Sequence, residues 1–170
     1  NTLDLDPVRG FSRIPKPAEG DLFFDMEGDP LFPDGLEYLF GFYFVEEGKA
    51  VFKPFWAHDH DEEKRAFREV MDFIVAHIRV YPDAHIYHYN HYEETALKRL
   101  STQYGTREAE VDNLLRGRKL VDLYKVVREA IRVSESSYSI KNLETFYMEK
   151  RSAEVANAGD SIVVYEEWRQ

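Results

Sequence analysis

The residues best suited to chemistry are two acids one position apart, Asp25 and Glu27, in the segment Leu22-Phe23-Phe24-Asp25-Met26-Glu27. In a strand, residues i and i+2 project from the same face, so these two carboxylates stand together and Phe24 and Met26 take the other side. Two like charges side by side are costly unless something positive is shared between them. A divalent cation such as Mg²⁺ or Mn²⁺, which prefers oxygen ligands, meets that need. The alternative is a strand at a sheet edge with both acids facing water. The apolar lead-in Leu22-Phe23-Phe24 favours an inner strand.

A third acid, Glu93, lies in Tyr87-His88-Tyr89-Asn90-His91-Tyr92-Glu93. His85 to Tyr89 reads as a strand and Asn90 as the cap of the following helix, which puts Glu93 in its first turn. Ligand sites of open α/β sheets gather at this carboxyl edge. If the strand lies beside the first one, Glu93 approaches Asp25 and Glu27. A first-turn acid is also explained by the helix dipole alone. Tyr89, His88 and His91 suit either a groove on which bases stack or ordinary sheet packing.

Other clusters carry less. His58-Asp59-His60-Asp61 has the composition of a metal site but reads as a capped, solvated helix start. Asp122 and Asp160 read as helix caps, and Lys141 and Arg151 as cations within a possible phosphate's reach. No Gly-x-x-x-x-Gly-Lys loop, Gly-x-Ser-x-Gly elbow or His-Glu-x-x-His motif is present. That argues against ATP hydrolysis, serine hydrolysis and zincin chemistry.

The elements that must position these residues follow from the pattern. Residues 22–27, 37–44 and 50–56 read as three strands in a meander, the third demoted to an edge by Pro54. A helix capped by Asp59 or Asp61 follows, with Phe67, Val70, Met71, Ile74, Val75 and Ile78 inward and Pro82 after its end. Then come the strand 85–89, a helix carrying Tyr92, Ala96, Leu97 and Leu100, and a charged helical segment near 107–115. A short strand at 119–121 leads into a helix capped by Asp122, with Leu123, Val126, Val127 and Ile131 inward. Ser139 opens another helix, carrying Leu143 and Phe146, and residues 161–170 read as a last one. Antiparallel strands followed by βα alternation describe a mixed α/β sheet flanked by helices.

Composition sets the bounds. The 170 residues suit one domain at 21–170 behind an extended, Pro- and Gly-rich lead-in at 1–20. With no cysteine, disulfides, thiolate metal sites and cysteine nucleophiles are excluded. No apolar run is long enough to span a bilayer. A net charge of −10 argues against holding nucleic acid by bulk charge. The start at Asn1 and the helical pattern running through Gln170 suggest an internal domain of a longer protein.

Taken together, these segments resemble the YprB-type RNase H-like domain, a branch of the DEDD (DnaQ-like) exonuclease superfamily. The closest likeness is to the version within bacterial RecB-like nuclease and superfamily I helicase fusion proteins. The resemblance runs from Gly20-Asp21-Leu22 through Gly35-Leu36-Glu37-Tyr38 and Val121-Asp122-Leu123-Tyr124 to Ser137-Tyr138-Ser139-Ile140-Lys141 and Tyr165-Glu166-Glu167-Trp168. It implies an RNase H-like fold and two-metal cleavage of phosphodiesters with Mg²⁺ or Mn²⁺, 3′→5′ on DNA. Asp25 and Glu27 match the first acidic motif, and Glu93 falls where the second usually has aspartate. Gly28, Tyr89, Asn90 and Lys141 are the substrate contacts that this likeness implies. Partner nuclease and helicase domains on the same cytoplasmic polypeptide are implied too. The third motif, a final helix bearing Tyr-Asn-x-x-Asp, is not found; Asp160 sits too early for its acid, and the helix is expected just past Gln170. Without it the fragment should bind metal weakly and cleave poorly. The competing expectations are a non-catalytic nucleic-acid-binding or docking module and an acidic protein-interaction domain.

Overall fold

A computed structural model describes residues 9–148 and Tyr165. Five strands form one sheet in the order β3-β2-β1-β4-β5. β1 (Leu22–Asp29), β2 (Leu36–Glu46) and β3 (Lys49–Trp56) form the antiparallel meander, and β4 (Ile86–His88) and β5 (Leu120–Asp122) add in parallel beside β1. The helices are α1 (His60–Val80), α2 (Tyr92–Tyr104), α3 (Glu108–Arg116), α4 (Leu123–Ala130) and α5 (Ile140–Glu144). This is the mixed, helix-flanked α/β sheet expected from the element order.

Alternation along the strands decides what each face does. Leu22, Phe24 and Met26 of β1, with Phe40, Phe42 and Phe44 of β2, pack on Phe67, Val70, Met71 and Ile74 of α1 and on Leu97 and Leu100 of α2. Each such side chain contributes about 2 kcal/mol through burial, so this face anchors the strands. The other face of β1 carries Phe23, Asp25 and Glu27. On that face Phe23, with Tyr43 of β2 and Phe52 of β3, remains about half exposed (50%, 49% and 58%). That face is open among the described residues.

Local signals place the ends. Asp59 Oδ1 accepts from Glu62 N, Asp122 Oδ1 from Tyr124 N, and Ser139 Oγ from Asn142 N, so these three side chains start α1, α4 and α5. Pro54 sits in edge strand β3, where a missing N–H costs no ladder bond. A 3-10 turn at Gly10–Arg13 within the lead-in packs on α4.

Several expectations are corrected. β4 covers three residues rather than five, and Asn90 does not cap α2: His91 flanks the helix without a side-chain cap. Asn90 instead takes a left-handed conformation at φ 84°, which asparagine tolerates better than most residues. The helix that Ser139 opens ends at Glu144, before Phe146, and only Val126 of the predicted α4 stripe is fully buried. Asp160, Arg151 and the 161–170 helix, Tyr165 apart, lie outside the described residues. Among the described residues no helix is long and apolar enough to cross a membrane.

Candidate active site

β1 is the central strand, so the reading of Asp25 and Glu27 as edge acids falls. β4 runs parallel beside it, pairing Tyr87 with Phe23, and ends at His88. The chain then turns sharply at Asn90 and enters α2. This turn brings Glu93 back over β1, close enough to Asp25 for its charge to act on that carboxyl. Like charges this near repel unless something positive is shared between them.

The electrostatics follow from this crowding. The surrounding protein lifts the Asp25 carboxyl above its ordinary range, and the charge of Glu93 adds to the lift. Glu27 is raised too, by burial first and then by Asp25, with Lys141 of α5 pulling the other way. Lys141 is therefore close enough to be felt at the site. Glu93 is 3% exposed, and its Oε2 has no hydrogen-bond partner. That oxygen lies 3.4 Å from His88 Nδ1, whose proton is directed to the Asn90 carbonyl at 2.6 Å. A buried carboxylate oxygen without a donor is expensive, and it is the feature a bound cation would relieve.

The donor set of Asp25 and Glu93, all hard oxygen, fits one divalent cation, with Glu27 two residues along the strand. Among the described residues, however, no group of three or more His, Asp or Glu side chains is close enough to hold a metal ion. The three predicted acids are thus neighbours without forming a complete ligand cage.

The other predicted residues have definite places. Tyr89 donates its hydroxyl to the Tyr138 carbonyl and packs edge-on against Tyr124 at 5.7 Å. Asn90 N–H donates to Asp122 Oδ1 at 3.0 Å, tying the turn to β5. Gly28 marks a β-bulge: Glu27 pairs with Leu39 and Gly28 with Glu37, leaving Tyr38 as the extra residue on β2. A Cβ on Gly28 would stand 2.5 Å from Glu37 Oε2 and 2.7 Å from the Tyr92 hydroxyl. Among the described residues His58 and His60 belong to no group of three possible metal ligands: His60 Nε2 meets the Pro33 carbonyl and His58 Nδ1 meets the Tyr165 hydroxyl.

Sequence reasoning missed a second set of buried acids next door. Glu37 accepts from Tyr92 Oη at 2.8 Å and from Arg99 at 2.5 Å. Burial nonetheless leaves its carboxyl raised. Glu63 is fully buried, accepting Glu37 N–H at 2.6 Å and the Tyr104 hydroxyl. Glu37, Tyr92 and Arg99 line a groove of about 600 Å³ that also reaches Glu27 and Gly28. One signal was available: Glu63 falls four residues before Phe67, on the apolar stripe of α1.

The family model RNase_H_2, of the RNase H superfamily, matches residues 22–170. No curated protein and no solved structure shows significant similarity to the chain. The matched span contains every strand of the sheet, all three acids and the turn that joins Glu93 to Asp25, and the chain belongs to the RNase H superfamily.

Proposed function

We propose that this domain is a metal-dependent nuclease that hydrolyses phosphodiester bonds of nucleic acid, as a 3′→5′ exonuclease on DNA. In this reading it is a YprB-type member working within a longer cytoplasmic polypeptide that also carries RecB-like nuclease and helicase domains. Asp25, Glu27 and Glu93 hold Mg²⁺ or Mn²⁺, and Gly28, Tyr89, Asn90 and Lys141 contact the substrate. The observation that carries the reading is Glu93 Oε2, buried and unpartnered at the carboxyl edge of the central parallel strands, with Asp25 near enough to feel the Glu93 charge.

Bound there, a divalent cation would activate water and neutralise charge on the scissile phosphate. The chain's own contributions are positional. The β1–β4 pairing fixes Asp25 beneath Glu93, and His88 is held by the Asn90 carbonyl so that its Nδ1 faces Glu93. Lys141 sets a positive charge near Glu27, where an incoming phosphate would otherwise meet only carboxylates.

The test is a cleavage assay on end-labelled single- and double-stranded DNA with Mn²⁺ or Mg²⁺. Shortening of the strand from its 3′ end, lost in Asp25→Asn and in Glu93→Gln, is expected. A second reading is a non-catalytic nucleic-acid-binding module, favoured by the lack of three converging ligands among the described residues. DNA binding without cleavage under both metals would establish it in place of the first.

A further inference from the structure

In a chain of net charge −10, positive charge gathers at the sheet edge formed by β5. Two adjoining hollows there, of about 800 and 490 Å³, share Asp122 and Lys125 on their common border. Arg9, Arg13, Lys98, Arg118, Lys125 and Arg128 line them, against only three carboxylates, Glu94, Asp122 and Glu129. These cations come from four separate parts of the chain: the turn before β1, α2, the α3–β5 loop and α4. An arrangement drawn from such distant positions is set by the fold and not by a run of basic residues.

The charges are available. Arg118 and Arg128 are exposed and have no ion-pair partner among the described residues. Arg118 holds a left-handed φ of 52°, where glycine or asparagine would sit at lower cost. Lys98, Arg13 and Lys125 are paired with Glu94, Glu129 and Asp122 at 2.5, 2.7 and 3.7 Å. The Lys98–Glu94 pair is a single exposed i,i+4 contact that holds weakly, so an arriving phosphate can displace that carboxylate, whereas Arg13 grips Glu129 at two points. Asp122 is also occupied elsewhere, accepting the N–H groups of Asn90 and Tyr124.

The groove adjoins the acidic site. Glu94 follows Glu93 directly, His88 lies in the wall of the first hollow, and Asn90 and His91 line the second. Planar guanidinium groups match phosphate oxygens in two-point contacts, and His91 and Tyr124 offer flat rings in the same hollow. Phosphate contacts beside stacking surfaces suit a nucleic-acid strand better than an acidic peptide, which offers no bases.

We propose that this β5-edge groove binds the sugar-phosphate backbone of a nucleic-acid strand that approaches the acids over the start of α2. The proposal deepens the nuclease reading, on which it rests for the identity of the substrate. It also explains how an acidic domain holds a polyanion: net charge repels, and one local track attracts.

The test is fluorescence anisotropy with a labelled single strand of 20 nucleotides and its duplex, in EDTA so that no metal contributes. Arg118→Glu/Arg128→Glu should weaken binding at least tenfold with an unchanged melting curve, because both side chains are exposed. Arg118→Gln/Arg128→Gln should reduce the slope of log K against log salt by about 1.4 on the single strand, for two lost phosphate contacts. Lys49→Gln, on the opposite sheet edge, should leave both quantities unchanged. Unaltered affinity and slope in the arginine variants, no binding by the wild-type chain, or displacement of the strand by equal charge of poly-glutamate would each overturn the proposal. Arginine-dependent binding with no cleavage under Mn²⁺ would keep the groove and remove the nuclease reading. Cleavage lost in Asp25→Asn but indifferent to both arginines would do the reverse.

Discussion

Two groups of acids lie on either side of the β1–β2 bulge, and they are handled in opposite ways. Glu37 and Glu63 are buried with every apparent need met: Tyr92, Arg99, Tyr104 and a backbone N–H donate to them. Asp25 and Glu93 face each other with one oxygen unpartnered. Donors satisfy a buried carboxylate at the cost of its reactivity; a missing donor leaves it needing a cation or a proton. Burial alone therefore does not distinguish a structural acid from a chemical one. The inventory of donors does.

The comparison predicts opposite signs for neutralising substitutions. Glu63→Ala should be the most damaging change, because it strands Glu37 N–H and the Tyr104 hydroxyl inside the fold. A loss of about 3 kcal/mol is expected, read as a fall in melting temperature of roughly 6–12 °C. Glu63→Gln keeps an acceptor for Glu37 N–H and should cost well under half as much. Equal damage by both variants would mean that charge, not hydrogen bonding, holds this cluster.

Gly28 is where the two groups touch, since it follows Glu27 and abuts Glu37. Gly28→Ala should cost about 1–2 kcal/mol by overpacking against the Glu37 and Tyr92 side-chain ends. Both neighbours are flexible tips, so the chain should still fold, with Tyr92 displaced into the groove. A wild-type melting curve would show that the network yields freely. Glu93→Gln, by contrast, should stabilise the metal-free protein by on the order of 1 kcal/mol, as like-charge repulsion ends and an amide donor meets Asp25. It should also abolish any Mn²⁺-induced rise in melting temperature. A loss of stability in metal-free Glu93→Gln would sink the view that this pair is strained.

How far the sequence carries one depends on the range of the interaction. Strand alternation is local, so the shared face of Asp25 and Glu27 and the edge position of β3 were legible from Phe24, Met26 and Pro54. Caps are equally local, which is why Asp59, Asp122 and Ser139 were found. Asn90 failed as a cap because its position is set by a distant partner: Asp122 of β5 accepts its N–H and holds the turn. The Glu37–Arg99 and Glu63–Tyr104 pairs join residues 62 and 41 positions apart, and no spacing rule reaches that far. The basic groove was hidden for the same reason. Its cations are scattered from Arg9 to Arg128 and are outnumbered along the chain by acids.

The smallest effect sharpens the comparison most. Asp25, Glu27 and Glu37 all have carboxyls raised in the folded protein, each chiefly by burial. A raised acid binds its proton more tightly folded than unfolded, so its stabilising contribution is present below the ordinary value near 4 and fades as pH rises through the raised one. The metal-free protein should therefore lose stability gradually from about pH 4 upward. Glu129, held down to about 2 by Arg13, acts at lower pH and does not mask this. Asp25→Asn should flatten part of the slope, while Arg99→Met should steepen it by leaving Glu37 with Tyr92 alone. Mn²⁺ should reverse the slope in the wild type, since ligands must shed their protons to bind it. Melting curves at fixed ionic strength, with EDTA and with Mn²⁺, read all three. A slope that Mn²⁺ leaves untouched would place Asp25 and Glu93 with Glu37 and Glu63, as acids that support the fold.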